Sequence, residues 1–499
     1  MIPLTNLNTD SCSDTRILPF QRFILTEKKY LLIALTGAIL QFIIFKILYP
    51  FPDFISDSYS YIETNLNHMQ VNIWPIGYSK FLSLVHWLTS SHVALVSLQY
   101  LILVISLLYF FYAVLYLFEF SRRFRITLFC FLFFNPLFSY LSNCVLSDAL
   151  FLAVSLVLFT QWLWMLRRPA FSNLVLQGIL IGIAFSIRYT AIYYPFVSVV
   201  VILFASYRLP VKLAGIALPW MLIVPFILYT QEKTKEITGT AEFSVFGGWQ
   251  IANNALYMRE HIQVDSTVLP EGTQELDRMA RAYFRKIPAE QRELASIEGT
   301  FFIKVPNAIL KPYLEARYWD MDAVGYFRSW GKVSPVYKKY GSYLIKKYPL
   351  AFTRYYLLPN TQNYFVPYLE KFGSYNIGWN KVGDAATEWF KLNSNDVHHI
   401  PPGEFQGYIF FIYPIFFAML NLYFAGGFLC FLFSGNWKRH ERFTVMAVLA
   451  TASFLLCNFG FSVFATPVVL RYQILPMILL FCFSLLLTEQ IILKPNPAK

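Results

Sequence analysis

The feature that most constrains the fold is a series of long apolar runs along the 499-residue chain. Runs of about 17–25 apolar residues are long enough to cross a bilayer as α-helices. Only 14 % of the residues are charged, against about 25 % in soluble domains. The sequence therefore predicts an all-α polytopic membrane protein with ten transmembrane helices. The predicted spans lie near residues 30–50, 93–118, 126–143, 145–166, 173–188, 190–207, 211–230, 407–433, 443–464 and 468–490.

One water-facing segment interrupts these runs. Residues 231–407 hold 21 of the 41 Lys and Arg residues and 19 of the 29 Asp and Glu residues. The chain's basic excess lies outside this segment, so it does not indicate a nucleic-acid partner. We predict a cytoplasmic tail at 1–29, a transmembrane module at 30–230 whose first exoplasmic loop is 51–92, a mainly helical exoplasmic domain at 231–407, and C-terminal transmembrane helices at 408–499.

The short loops predict the orientation, because cytoplasmic loops are enriched in Lys and Arg. Basic residues precede the first predicted span and follow every even-numbered one, which places both termini in the cytoplasm. The 231–407 segment has no cysteine, whereas domains in oxidising compartments often carry disulfides. We therefore expect a bacterial inner-membrane protein whose site faces the periplasm. The basic residues used are Arg16, Arg22, Lys28, Lys29, Arg122, Arg123, Arg125, Arg167, Arg168, Arg208, Lys212, Lys438, Arg439, Arg442, Lys494 and Lys499.

A second set of ionisable residues falls at the opposite, exoplasmic ends of the spans. Charged side chains at membrane depth are costly and are therefore candidates for a functional site. The alternatives are mutual salt bridges and side chains that reach out to the interface. The basic members are Lys46, Lys80, Arg188 and Arg471, and the acidic members are Asp53, Asp57, Glu63 and Asp148.

The loop at 51–92 contains a candidate general base. Apolar residues recur every three or four positions from 55 to 66, which predicts a short helix in the interface plane. Ser56 or Asp57 would cap its start. A carboxylate near the positive end of a helix dipole stays ionised and can accept a proton from a nearby hydroxyl. The alternative is that Asp57 is only a helix cap.

Five motifs follow one another along the chain. They are Asp57-Ser58-Tyr59-Ser60-Tyr61, Trp74-Pro75-Ile76-Gly77-Tyr78-Ser79-Lys80, Asn135-Pro136 with Leu146-Ser147-Asp148, Gly182-x-Ala184-x-x-x-Arg188-x-Thr190, and Arg471-Tyr472-x-x-x-Pro476. In this order they resemble the C-type glycosyltransferase superfamily, in particular the bacterial relatives of protein O-mannosyltransferases and lipid A aminoarabinose transferases. The likeness covers about 51–230 and 408–490.

The resemblance implies an enzyme that transfers a sugar from a polyprenyl-phosphate donor to a hydroxyl of a lipid, glycan or protein acceptor, with inversion at the anomeric carbon. Asp57 would be the catalytic base. Lys80, Arg188 and Arg471 would bind the donor phosphate, because cations stabilise the charge that grows on it. Membrane lipids would be further partners. Possible sugar-contacting, acceptor-contacting or secondary residues are Asp53, Tyr59, Tyr61, Trp74, Tyr78 and Asp148, and the alternative for the aromatic members is an interface belt.

No metal site is predicted from the residues. His398 and His399 are adjacent and have no second donor pair at a metal-binding spacing, although the resembled family allows a divalent metal. Two other functions stay open. A transporter or flippase for lipid-linked glycans tends to have inverted repeats and ionisable residues at the midplane, and neither pattern is visible. A glycan polymerase or ligase with a lipid-diphosphate donor does not require the acidic residue Asp57 after the first span.

Overall fold

The computed structural model describes residues 19–489, except 293–298, 321–323, 439 and 466. This part of the chain is helical and contains no β-strand, only three isolated bridges. The predicted cytoplasmic tail lies largely outside the described residues. The basic residues Arg16, Arg439, Lys494 and Lys499, which enter the orientation argument, also lie outside them.

The α-helices are numbered here in chain order within the described residues. The first half of the chain contains α1 (Phe20–Thr26), α2 (Lys28–Leu48), α3 (Ser56–Leu66), α4 (Ile76–Leu88), α5 (His92–Leu117), α6 (Arg122–Phe133), α7 (Leu137–Asn143), α8 (Asp148–Arg167), α9 (Phe171–Ile187), α10 (Tyr194–Phe204), α11 (Leu209–Thr238) and α12 (Val245–Arg259). The second half contains α13 (Gln274–Lys286), α14 (Phe301–Lys304), α15 (Leu310–Tyr318), α16 (Gly325–Lys347), α17 (Pro349–Phe352), α18 (Leu358–Phe365), α19 (Asp384–Phe390), α20 (Phe405–Phe410), α21 (Tyr413–Phe433), α22 (Arg442–Phe464) and α23 (Ile474–Thr488).

Eight helical segments are long and apolar enough to cross a membrane, which confirms a multi-pass membrane protein. They coincide with eight of the predicted spans: Lys28–Leu48, His92–Leu117, Arg122–Asn143, Asp148–Arg167, Leu209–Thr238, Phe405–Phe433, Arg442–Phe464 and Leu470–Thr488. The other two predicted spans correspond to the shorter apolar helices Phe171–Ile187 and Tyr189–Phe204. These two are separated at Arg188, whose backbone is extended.

The spans differ in how much protein surrounds them. The last span, Leu470–Thr488, is the most enclosed, with 83 % of its most apolar 18 residues buried within the protein. The spans His92–Leu117 and Asp148–Arg167 are also mostly buried. Lys28–Leu48 and Leu209–Thr238 have only 17 % buried and expose Leu and Ile side chains. Exposed apolar side chains on a spanning helix are compatible with lipid contact.

Residues between 245 and 356 form a second hydrophobic core. In it Trp249 stacks on Trp330 with ring centroids 3.9 Å apart, and Val71 and Ile73 of the first loop join the same cluster. Helices α12 and α16 pack so closely that a Cβ on Gly248 would lie 2.1 Å from the Ser334 carbonyl oxygen. The first loop is therefore attached to this core as well as to the spans.

After this second core the chain returns to the spans. Tyr364, Phe372 and Tyr375 belong to the main hydrophobic core together with the spanning helices. A bridge pairs Tyr368 with Val469, just before the last span. The 3₁₀ turn Glu370–Phe372 consequently lies beside the 3₁₀ turn Leu470–Gln473.

Candidate functional site

Charged residues from five separate segments meet at one end of the spans. Each residue stands where a helix begins or ends: Asp57 in the first turn of α3, Asp148 at the first residue of α8, and Arg188 just after α9. Glu370 and Arg471 stand in the two 3₁₀ turns. We call these five residues the ionic cluster. All but Glu370 belong to the predicted set, and the structure brings those four together.

Arg471 is at the centre of the ionic cluster. Its Nε donates to Glu370 Oε2 at 2.8 Å, and its Nη1 donates to Asp148 Oδ2 at 3.0 Å. Its Nη2 lies 3.7 Å from Asp57 Oδ2. The Arg471 side chain is only 4 % exposed, and a buried charge without partners would be strongly destabilising. Three carboxylates thus share one guanidinium, as the salt-bridge alternative predicts for this residue.

Arg188 is held differently. Its Nη1 donates to Asp148, and its guanidinium lies 4.2 Å from the ring centroid of Tyr472. The Arg471 guanidinium lies 4.5 Å from the same ring, so Tyr472 contacts both cations through cation–π interactions. Within the described part of the chain, the Arg188 Nε and Nη2 groups donate no hydrogen bond. Arg188 therefore has donors left for an anionic ligand.

Asp57 is partly open to solvent, with 20 % of its side chain exposed. The predicted helix is confirmed as Ser56–Leu66, but the prediction that Ser56 or Asp57 caps it is wrong. Ile55 is the capping position, and the Ser58 hydroxyl reaches back to accept from the Ile55 N–H at 3.0 Å. The Asp57 carboxylate is consequently not used in a backbone cap and points towards Arg471.

The two acids that contact Arg471 from outside the spans have opposite pKa shifts. Burial raises the pKa of Asp57, and the neighbouring Arg471 charge offsets this only in part. Burial also raises the pKa of Glu370, but Arg471 and Lys304 together lower it to about 2. Glu370 therefore stays ionised over the physiological range, whereas Asp57 is the better proton acceptor.

Asp53 lies beside the ionic cluster in a buried ion pair of its own. Its carboxylate pairs with Lys371 and accepts the Asn376 N–H at 2.9 Å. Both side chains of the pair are almost fully buried, at 4 % and 2 % exposed. This pair fastens the first loop to the 370–376 turn, so Asp53 has a structural partner within the fold.

Two predicted tyrosines are buried next to the ionic cluster. The Tyr61 hydroxyl lies 3.1 Å from Ser147 Oγ, one residue before Asp148. Tyr78 is fully buried and its hydroxyl donates to Gln99 Oε1 at 2.7 Å. Tyr78 therefore has no exposed surface for a sugar, whereas the Tyr61 hydroxyl contacts the residue that directly precedes Asp148.

The remaining predicted residues lie further out. The Tyr59 hydroxyl accepts the Gly383 N–H at 3.0 Å, and the Trp74 ring lies 5.0 Å from that of Phe246. Lys80 is exposed on α4 and makes no contact with the ionic cluster in the described structure. The structure therefore does not bring Lys80 together with Arg188 and Arg471.

The other ionisable residues predicted for this face do not join the ionic cluster. Lys46 donates to Asn143 Oδ1 at 3.0 Å, and Glu63 is exposed on α3.

Sequence reasoning missed Glu370, Lys371, Lys304 and Tyr472. Tyr472 directly follows Arg471 in the Arg471-Tyr472-x-x-x-Pro476 motif, and this adjacency is the sequence signal that could have identified it. Glu370 and Lys371 stand in a segment with ordinary charge content. The backbone of Glu370 has a φ of 46°, a left-handed conformation that its residue type does not predict.

The His, Cys, Asp and Glu side chains of the described residues are not arranged as metal ligands. No group of three His, Cys, Asp or Glu side chains with metal-holding geometry occurs among the described residues. The three carboxylates that converge do so on Arg471. His398 lies edge-on to Phe51, and His399 Nδ1 lies 2.5 Å from the Pro401 carbonyl oxygen.

No family model, curated protein or solved structure matches this chain. A helical membrane fold is compatible with many activities, so only the residues of the site can distinguish among them.

Proposed function

We propose that this chain is an integral-membrane inverting glycosyltransferase that moves a sugar from a polyprenyl-phosphate donor to an acceptor hydroxyl. The observation that carries the proposal is the ionic cluster. A partly exposed carboxylate, Asp57, stands 3.7 Å from the Arg471 guanidinium. Arg188, a second arginine with unused donors, pairs with Asp148, which also pairs with Arg471. A carboxylate base beside two fixed cations would meet both requirements of this reaction.

The proposed topology has ten spans, with both termini in the cytoplasm and the ionic cluster facing the periplasm of a bacterial inner membrane. Helices α9 and α10 would be the two additional, shorter spans, and the second core would be an exoplasmic domain. Ion pairs such as Arg125 with Glu27, at 3.2 Å, and Arg167 with Glu441 join the basic helix ends to one another. These contacts involve the opposite helix ends from those that meet in the ionic cluster, which supports a cytoplasmic and an exoplasmic end.

In the proposed reaction, Asp57 accepts the proton of the acceptor hydroxyl. The acceptor oxygen forms a bond to the anomeric carbon while the bond from that carbon to the phosphate oxygen breaks on the opposite face, so the configuration inverts. The electron pair leaves with the prenyl phosphate. Fixed cations stabilise the charge that develops there.

The contacts of the two arginines support different roles. Arg188, with a single hydrogen bond, would bind the departing phosphate with its remaining donors. Arg471, which already contacts Asp57, Asp148 and Glu370, would hold the carboxylates in place and add positive charge. The raised pKa of Asp57 makes it a stronger base than an ordinary aspartate.

Mass spectrometry of membrane lipids from cells with and without the protein tests the donor class. Loss of the protein should lead to accumulation of a prenyl-phosphate sugar, and purified protein should consume it when an extract of the same cells supplies the acceptor. A flippase would instead move the lipid across reconstituted vesicles without forming a glycosidic bond. Consumption of a prenyl-diphosphate glycan in place of a prenyl-phosphate sugar would favour the polymerase or ligase alternative and overturn the proposal.

A further inference from the structure

We infer that the helical segment 349–365 and the following Val366 are seated in the membrane surface, and that their exposed side chains contact phospholipid rather than water. This inference is independent of the proposed reaction. Helix α17 (Pro349–Phe352), a π-helical turn (Thr353–Leu357) and α18 (Leu358–Phe365) follow one another without a break. They form one continuous helical segment between the second core and the spans.

Hydrogen bonds fix this segment against the end of a span. The Tyr356 hydroxyl donates to the Phe464 carbonyl at 3.1 Å, and Asn360 Nδ2 donates to the Val463 carbonyl at 3.2 Å. Further along, the Tyr364 hydroxyl donates to Asn458 Oδ1 at 3.0 Å. The segment thus runs antiparallel to the last turns of the span Arg442–Phe464.

The depth of these contacts follows from helix geometry. The span Arg442–Phe464 has 23 residues, hence a length of about 34 Å at 1.5 Å per residue. This length is close to the hydrocarbon thickness of about 30 Å, so Phe464 stands near the membrane surface. Asn458 is six residues earlier, about 9 Å deeper. Tyr364 therefore contacts the span below the level of the lipid head groups.

Between residues 355 and 366, every exposed side chain except Gln362 is apolar. Leu350 is 86 % exposed, Leu358 56 % and Val366 51 %. No charged residue occurs between Tyr355 and Val366. Contiguous exposed apolar surface is unfavourable in water, whereas at this depth acyl chains would cover it.

The cations stand at the other end of the segment. Lys346, Lys347 and Arg354 are exposed around Leu350, the end that lies nearest to Phe464 and thus to the membrane surface. Basic side chains at this level attract anionic head groups. Charge at the head-group level and apolar residues below it are the pattern of an interfacial helix, so we commit to a bilayer containing anionic phospholipid as the partner.

The segment also sets the position of the ionic cluster. Directly after it, the Leu470 N–H donates to the Tyr368 carbonyl at 2.8 Å, and Glu370 and Lys371 follow. The segment therefore leads directly into the turn in which Glu370 contacts Arg471 and Lys371 contacts Asp53.

Site-specific fluorescence in proteoliposomes tests the inference. In the full chain with its six cysteines replaced, a bimane-labelled cysteine is introduced at Leu358 or at Val366. Met221, exposed in the middle of a span, is the lipid-facing control, and the exposed Glu271 is the aqueous control. Each variant is first checked for monodispersity in detergent. The vesicles contain phosphatidylcholine and phosphatidylglycerol, with or without brominated acyl chains.

Labels at Leu358 and Val366 should be quenched by brominated lipid, as the label at Met221 is, and Glu271 should not be quenched. Quenching of both labels only to the level of Glu271 would overturn the inference, whether water or a second copy of the chain covers the segment. A label at Leu350 should shift its emission to the blue when phosphatidylglycerol is added to phosphatidylcholine. An unchanged spectrum would overturn the choice of anionic lipid.

Discussion

At the scale of single residues, Arg471 determines how the charges of the site are arranged. It contacts Glu370, Asp148 and Asp57, so removal of any one of these residues changes the balance of positive and negative charge around the others. Uncompensated buried charges cost about 3–5 kcal/mol. Functional effects of substitutions here must therefore be separated from effects on stability.

Asp57→Asn tests the base. Asn cannot accept the proton of the acceptor, so turnover should fall by about 10²–10⁴-fold, the usual contribution of a general base. Folding should be nearly intact, because the Asp57 side chain makes no helix-cap hydrogen bond. The measurement is sugar transfer by purified protein that is monodisperse in detergent. The control is Glu63→Gln, which changes an exposed acid on the same helix, and wild-type turnover in Asp57→Asn would remove Asp57 from the mechanism.

Arg188→Ala should weaken donor binding by about 10–150-fold, because a charge-assisted hydrogen bond contributes about 1.5–3 kcal/mol. Arg471→Ala should also weaken donor binding, because the positive charge beside the phosphate is lost, and it should lower the melting temperature, since three carboxylates lose their shared cation. Titration with a prenyl-phosphate sugar and thermal unfolding measure the two effects. Lys80→Ala is the matched control, because Lys80 is exposed away from the ionic cluster. Equal donor affinity in all three variants would leave the arginines with a structural role only.

Glu370 predicts a pH dependence of stability. Its folded-state pKa of about 2 lies below the ordinary value of 4.5, so its ionised form stabilises the fold. This contribution is complete above pH 4.5 and is lost as the pH falls towards 2. The melting temperature of wild type should therefore exceed that of Glu370→Gln at neutral pH, and the gap should narrow below pH 4.5. A gap that stays constant down to pH 3 would contradict the assigned ion pairs.

At the scale of elements, two close contacts hold the second core together. Helices α12 (Val245–Arg259) and α16 (Gly325–Lys347) approach so closely that Gly248 lies against Ser334, and Gly341 lies against the Ile251 carbonyl. Val71 and Ile73 of the first loop insert into the same core. The loop is thus fixed on both sides of the helix that carries Asp57, by Asp53 before it and by Val71 and Ile73 after it.

Gly248→Ala tests this contact. The added Cβ would lie 2.1 Å from the Ser334 carbonyl oxygen, and overpacking of this kind costs about 1–3 kcal/mol. The adjacent Gly247→Ala is the matched control, because nothing lies within 4 Å of its Cβ and Ala favours a helix over Gly by about 0.5–1 kcal/mol. Thermal unfolding should show Gly248→Ala less stable and Gly247→Ala at least as stable as wild type. The same melting temperature in both variants would contradict the packing.

At the scale of the whole molecule, the two ends of the helix bundle differ in chemistry. One end has ion pairs that join Arg125 and Arg167, at basic helix ends, to Glu27 and Glu441. The other end has the ionic cluster, the short helices α3 and α4, and the second core. This asymmetry underlies the proposed orientation.

Cysteine labelling from outside intact cells or spheroplasts tests the orientation. In a cysteine-free background, cysteines at Glu63 and Lys391 should react with a membrane-impermeant thiol reagent, and one at Lys438 should react only after permeabilisation. All three residues are exposed in the structure, so accessibility depends on the side of the membrane alone. The reverse labelling pattern would invert the topology and place the ionic cluster in the cytoplasm.

The sequence by itself determined the helical membrane class and eight of the spans, because a spanning segment needs an apolar length that can be read locally. Periodicity likewise located α3, and charge sorting located Asp57, Asp148, Arg188 and Arg471. Only the tertiary structure brought Glu370 to Arg471 and Lys371 to Asp53, across 101 and 318 residues of chain. It also separated Lys80 from the ionic cluster and enclosed Tyr78. Such pairings depend on how the chain returns to the spans after the second core. Local residue patterns cannot predict this return, because it is set by contacts between distant parts of the chain.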